Sequence, residues 1–241
     1  MKNKLTLSVV WRSTILWSTV GICALLYNVI AIPLIFIPVK LRHKVISSWA
    51  YIFTFMCKHV CRVTFSVDGL ENLVKSPAII ASNHQSAWET IAFETIFPQH
   101  VWILKREILR LPIFGWAIAT LSPIAINRSK GSAAIQQILT QSVNRIKKGF
   151  WILAFPEGTR VAPGVKVPYK IGVAKMAESL QIPIIPVAHN GGYCLARAAF
   201  WMFPGEIKVI IDKPIYPNKS SKELILELEQ VINKNLNTIT H

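Results

Sequence analysis

The sequence has no Cys-x-x-Cys pair, few acidic residues, and a long stretch with no charge of either sign. Cys23, Cys57, Cys61 and Cys194 are the only cysteines, and none has further ligands at zinc spacing, so they read as reduced thiols facing core or lipid. Asp and Glu total 12 against 27 Lys and Arg, a formal charge of +15. That excess sits beside a 52% hydrophobic composition and a mean hydropathy of +0.40. Nucleic-acid binders are basic but seldom so apolar. A protein resting on anionic lipid gains from both properties, so the composition favours a membrane surface over nucleic acid.

From Ser13 to Val39 there is no Asp, Glu, Lys, Arg or His, and only about 20 helical residues are needed to cross a bilayer. The run is too long for a cleaved signal peptide and no small-x-small site follows it, so it reads as an anchor. Lys2, Lys4 and Arg12 precede it while Lys40, Arg42 and Lys44 follow, which gives the positive-inside rule no winner. A second apolar segment, Trp49 to Met56, leaves two arrangements open: a re-entrant helical hairpin, or a single span followed by an amphipathic helix. The expected organisation is a membrane-anchoring region over 1–61 and one catalytic domain over 62–241, a length suited to one α/β core.

Within the second region strands and helices alternate. Strands are predicted at Val63–Val67, Pro77–Ser82, Val101–Leu104, Ile124–Ile126, Phe150–Phe155, Pro183–Ala188 and Ile207–Ile211. Helical character marks 87–97, 132–147, 171–180 and 223–236, while 109–121 is a helix or a lipid-facing lobe. This alternation implies an α/β fold with a mostly parallel central sheet flanked by helices.

Two loops carry chemistry. Asn83-His84-Gln85-Ser86-Ala87-Trp88-Glu89 follows one apolar strand and Phe155-Pro156-Glu157-Gly158-Thr159-Arg160 ends another. Five residues on a continuous helix turn through about 500°, so His84 and Glu89 share a face only if His84 lies on the loop before the helix. There the carboxylate can bond one imidazole nitrogen while the other faces substrate. The pair resembles a serine-protease relay without its serine, since neither Ser82 nor Ser86 occupies a nucleophile elbow. A substrate hydroxyl would take the serine's place, giving acyl transfer to an alcohol. Lys105, Arg128 and Arg160 each follow a strand, and in a parallel sheet all three lie at the carboxyl edge, where a phosphate would satisfy them. Backbone amides near Gly158 are placed to receive a developing oxyanion.

At these residues the chain resembles the glycerolipid acyltransferase family. Asn83, His84 and Glu89 match its first block, Ile126-Asn127-Arg128 its second, Phe155 to Arg160 its third and Ile182 to Val187 its fourth. The similarity covers roughly residues 62 to 215. It implies His84 as general base, Glu89 as its orienting partner, and a substrate site built from Asn83, Lys105, Arg128, Glu157, Gly158, Thr159 and Arg160. The three cations among them would hold phosphate, with Glu157 and Gly158 shaping the acceptor site. It further implies an acyl-coenzyme A or acyl-carrier-protein donor, lysophosphatidic acid as acceptor, and a place on the cytoplasmic side of a bacterial inner membrane, with no cofactor or metal. Two departures stand out: Glu89 is found where the family more often has Asp, and Val161-Ala162-Pro163 lacks a serine often found after the third block. A non-catalytic lipid-binding module and a lipid hydrolase are the competing functions.

Overall fold

The computed structural model describes residues 4–111, 114–127 and 132–239. Seven strands form one sheet in the order β1-β7-β6-β2-β5-β3-β4. They are β1 (Val63–Asp68), β2 (Ile79–Ser82), β3 (His100–Lys105), β4 (Ile124–Ile126), β5 (Trp151–Ala154), β6 (Ile184–His189) and β7 (Gly205–Ile211). β2 to β6 are mutually parallel. β7 runs antiparallel to β6, and β1 pairs parallel to β7, so these two strands at one side of the sheet are reversed relative to the other five. The loops that follow β2, β3, β4, β5 and β6 therefore emerge along one edge.

The central strands β2, β5 and β6 are buried along their whole length, as expected of parallel strands covered on both faces. Side-chain alternation divides them between two cores. Ile79, Ile152 and Ile184 face one layer with α6 (Ser132–Lys147), α7 (Gly172–Leu180) and α8 (Ser221–Ile239). Ile80, Leu153 and Ile185 face the other, with α4 (Trp88–Ile96) and α3 (Trp49–His59). α8 buries Leu224, Leu228, Ile232 and Asn235 at helical spacing. Its start is fixed by a capping box in which Ser220 and Glu223 exchange hydrogen bonds.

The uncharged run becomes α1 (Leu7–Ala31), a helix long and apolar enough to cross a membrane. A 3₁₀ turn at Pro33–Phe36 and α2 (Val39–Ser47) lead on to α3. α1 packs against α2, α3 and the short α5 (Phe114–Thr120). The Ser13 hydroxyl accepts from the Met202 backbone N–H at 2.9 Å and the Trp17 indole donates to the Phe200 carbonyl at 2.6 Å. Leu16, Phe53 and Cys57 share a core with Ile80 and Trp88, so the boundary near residue 61 is one of chain order and not of packing. The opposite side of α1 exposes Trp11, Ile22, Leu25, Leu26 and Val29, continued by Tyr51 and Phe55 of α3.

Candidate active site

β2 ends at Ser82 and α4 starts at Trp88, which puts His84 on the intervening loop and Glu89 in the first helical turn. The first-turn N–H groups of a helix lack intrahelical partners and favour a carboxylate. Glu89 reaches back from that turn to the loop before the helix, where its Oε1 accepts from Gln85 N at 3.0 Å, Ser86 N at 2.8 Å and His84 Nδ1 at 2.7 Å. Burial alone would raise the Glu89 carboxyl; His189, the bond and charge of His84, and the Ser86 N–H more than offset it, so it is held below the usual carboxylate range. With its Nδ1 proton committed to Glu89, neutral His84 leaves Nε2 as the basic nitrogen.

The loop after β5 clamps the backbone of His84 from both sides. His84 N donates to Glu157 Oε2 at 3.0 Å and Val161 N donates to the His84 carbonyl at 2.7 Å. The His84 ring stacks on Phe155, with centroids 4.0 Å apart at 14°. Gly158 holds φ +72°, so the backbone conformation of this turn favours glycine, and a Cβ there would also displace the Lys170 side chain, whose Nζ would lie 2.6 Å away. Burial, with the charge of Glu89 adding to it and the His84 N–H opposing, raises the Glu157 carboxyl to about 7.

His84 opens on a cavity of about 970 Å³ whose wall is mostly apolar, including Trp17, Val20, Trp49, Ile91, Trp102 and Leu121. Lys105, Gly158, Thr159 and Arg160 lie along the same cavity. The Arg160 Nε is buried with no hydrogen-bond partner among the described residues. Lys170 and Arg197 add two cations to this lining that sequence reasoning missed. Each follows a loop glycine or proline region, with no motif to single it out.

Two expected residues fall outside this lining. Asn83 is fully buried and outside the lining, its amide bonded to the backbone of His189. Glu157 borders a separate cavity of about 300 Å³ with Gln85 and Tyr169. Arg128 lies outside the described residues.

A second buried polar cluster went unforeseen. Glu94 of α4 places Oε1 3.1 Å from His100 Nε2 and Oε2 4.0 Å from His43 Nδ1. His100 Nδ1 donates to the Pro98 carbonyl at 3.0 Å and His43 Nε2 to the His100 carbonyl at 2.7 Å, so in both neutral rings the nitrogen nearer the carboxyl is the acceptor. Burial raises Glu94 to about 7, against the opposing pull of His43 and Ser47, and lowers His100 to about 4. Glu94 Oε1 and His100 Nε2 are both buried without a hydrogen-bond partner among the described residues, so a carboxyl that holds its proton more readily than usual lies against a neutral imidazole.

Comparison with known proteins agrees with this architecture. The model of the family described as Acyltransferase matches residues 64–190. The chain is 36% identical over 195 residues to the 1-acyl-sn-glycerol-3-phosphate acyltransferase of Pseudomonas aeruginosa, covering 80% of this chain and 76% of that protein. It is 30% identical over 184 residues to the protein of the same name from Saccharomyces cerevisiae, covering 72% of this chain and 60% of the relative. The fold is shared with the crystal structure of the 1-acyl-sn-glycerophosphate (LPA) acyltransferase PlsC from Thermotoga maritima, at a TM-score of 0.79, 20% identity and 95% coverage of both chains. Both loops that frame the cavity fall inside the matched region, which spans more than half of the sequence; this chain is a member of the acyltransferase family.

Proposed function

We propose that the protein transfers an acyl chain from acyl-coenzyme A or acyl-carrier protein to the sn-2 hydroxyl of 1-acyl-glycerol-3-phosphate, making phosphatidic acid for phospholipid synthesis. The observation that carries this is the 2.7 Å His84–Glu89 bond at a cavity that combines an apolar wall with Lys105 and Arg160. His84 Nε2 removes the proton of the acceptor hydroxyl as its oxygen attacks the thioester carbonyl. The imidazolium so formed is stabilised by Glu89. Collapse of the tetrahedral oxyanion expels the donor thiolate, which takes the proton back from His84, so base and charges return to their starting state. Lys105 and Arg160 bind the acceptor phosphate, and the apolar wall receives hydrocarbon.

The names carried by the bacterial and yeast relatives support the acceptor. The exposed apolar faces of α1 and α3 support membrane association, with the net charge of +15 favouring anionic lipid and, in a bacterium, the cytoplasmic leaflet of the inner membrane. The test is acyl transfer by detergent-solubilised protein with labelled acyl-coenzyme A or acyl-carrier protein, offered lysophosphatidic acid, glycerol-3-phosphate or a phosphate-free lysolipid. Product from lysophosphatidic acid alone, abolished in His84→Ala, is expected. Retained turnover in His84→Ala would reject the base. Arg160→Ala should raise KM for the phosphate-bearing acceptor by about tenfold or more with little change for the donor.

A further inference from the structure

One buried histidine beside the site has no part in the reaction as written. His189 ends β6 and is fully buried. Its backbone N–H donates to Asn83 Oδ1 and its carbonyl accepts from Asn83 Nδ2, both at 2.9 Å. Ring Nδ1 accepts the Gly191 N–H at 3.1 Å, so the ring is neutral and its proton is on Nε2. That N–H donates to the Asn83 carbonyl at 3.0 Å and lies 3.9 Å from Glu89 Oε2. Trp88 and Phe93 pack around the ring, with centroids 6.3 and 5.7 Å away.

Glu89 is unevenly served. Oε1 takes three hydrogen bonds, whereas Oε2 is buried and takes none among the described residues. A bare carboxylate oxygen inside a protein carries a desolvation cost that a nearby N–H dipole reduces. The titratable groups facing this carboxylate are His84 from the loop after β2, Glu157 from the loop after β5, and His189 from β6. Of these, His189 brings its ring Nε2 to 3.9 Å from Oε2.

We infer that His189 is a positioning residue for acyl transfer: its ring, hydrogen-bonded to the Asn83 carbonyl, sets Nε2 3.9 Å from Glu89 Oε2, orients that carboxylate, and thereby holds His84 with Nε2 free to accept the acceptor's proton. Asn83 belongs to the same device, because its side chain locks the backbone of His189 and its carbonyl orients the ring. The inference rests on His84 as the base, so the experiment includes a control for that.

The experiment measures kcat, KM and the pH profile of kcat/KM for acyl transfer in His189→Met, His189→Asn and His189→Gln, beside the parent and His84→Ala. Met and Asn place no donor where Nε2 stood; Gln does. In Met and Asn, kcat should fall about ten- to hundredfold, as for other residues that orient a catalytic group, with KM for both substrates within about twofold. The acid limb of their profiles should move to lower pH, because a weakened Glu89 charge stabilises the imidazolium less. Gln should recover most of kcat and the parent's acid limb. Should Met fail to fold, Asn carries the same comparison. Parent-like kcat and profile in Met or Asn would overturn the inference. So would equal losses in all three with an unmoved limb, which is the signature of packing alone. Parent-like turnover in His84→Ala would instead reject the base itself, a failure visible without any change at residue 189.

Discussion

Glu89 and Glu94 stand five residues apart on α4, each buried and each flanked by two histidines, yet their carboxyls are shifted in opposite directions. Glu89 is kept ionised and Glu94 is raised to about 7. Depth does not separate them, since both carboxyls are nearly inaccessible. Hydrogen-bond donors do. Glu89 lies at the open N-terminal turn, where two backbone N–H groups and His84 converge on Oε1. Glu94 lies in the next turn and a half, where backbone N–H groups are already spent within the helix, and its two histidines point their protons at the carbonyls of Pro98 and His100. The charge of a buried acid is thus set by how many donors remain unspent around it. One helix thereby supports an ionised partner for a base at one end and, further on, a carboxyl that gives up its proton less readily between α2 and β3.

The largest expected effect breaks the first half of that contrast. His84→Ala should lower turnover by about 10³-fold and Glu89→Gln by about 10²-fold, read in single-turnover acyl transfer, with Glu94→Gln far milder. Equal losses for the two glutamates would erase the distinction. The next sharpens the second half through pH. Below its ordinary value of 4.5 Glu94 is protonated in both folded and unfolded chains. As pH rises from there to about 7 the unfolded chain releases the proton and the folded one retains it, so stability falls across this window and levels off above it. Gln carries no such loss, and denaturant unfolding should show Glu94→Gln gaining roughly 2–3 kcal/mol on the parent between pH 5 and pH 8. The comparison with the parent is needed because Glu157, also raised to about 7, adds its own slope of the same sign. A flat difference would mean that Glu94 is already ionised.

The smallest effect compares two serines. Ser86 Oγ accepts the Trp88 N–H at 3.0 Å, capping α4 beside Glu89, and Ser47 Oγ donates to the His43 carbonyl at 2.7 Å beside Glu94. Alanine at either position should cost about 1 kcal/mol of stability. Only Ser86→Ala should also slow transfer, since only that cap shapes the loop that bears His84.

How much of this is legible in sequence follows from how local each feature is. Strand and helix periodicity depends on neighbours, and α6 and β4 fall where it places them. His84 and Glu89 share one loop and one helical turn, so spacing suffices to pair them. Strand direction leaves no mark on a period-two pattern, which is why the reversal of β7 and β1 is not readable from alternation. An apolar stretch reads the same whether it meets lipid or protein, so the docking of Ser13 on Met202 is hidden. His189 meets Asn83 only because Ser82 registers with Val187 across β2 and β6, a partnership that no local window contains. A histidine closing a buried parallel strand was its one available signal. His43, Glu94 and His100 are likewise assembled from three elements.

The double duty of α1 has a consequence for purification and for substrate traffic. Trp17, Val20, Cys23, Ala24, Tyr27 and Asn28 form part of the cavity wall, while Leu25, Leu26 and Val29 on the same helix are exposed. The exposed apolar face and the container wall are therefore a single piece. Cutting the chain after α1 would not release a soluble enzyme; it would unroof the cavity and strand apolar side chains in water at about 25 cal/mol per Å². It also means that the exposed apolar face of α1 and the reaction chamber are separated by the thickness of one helix, about 10 Å.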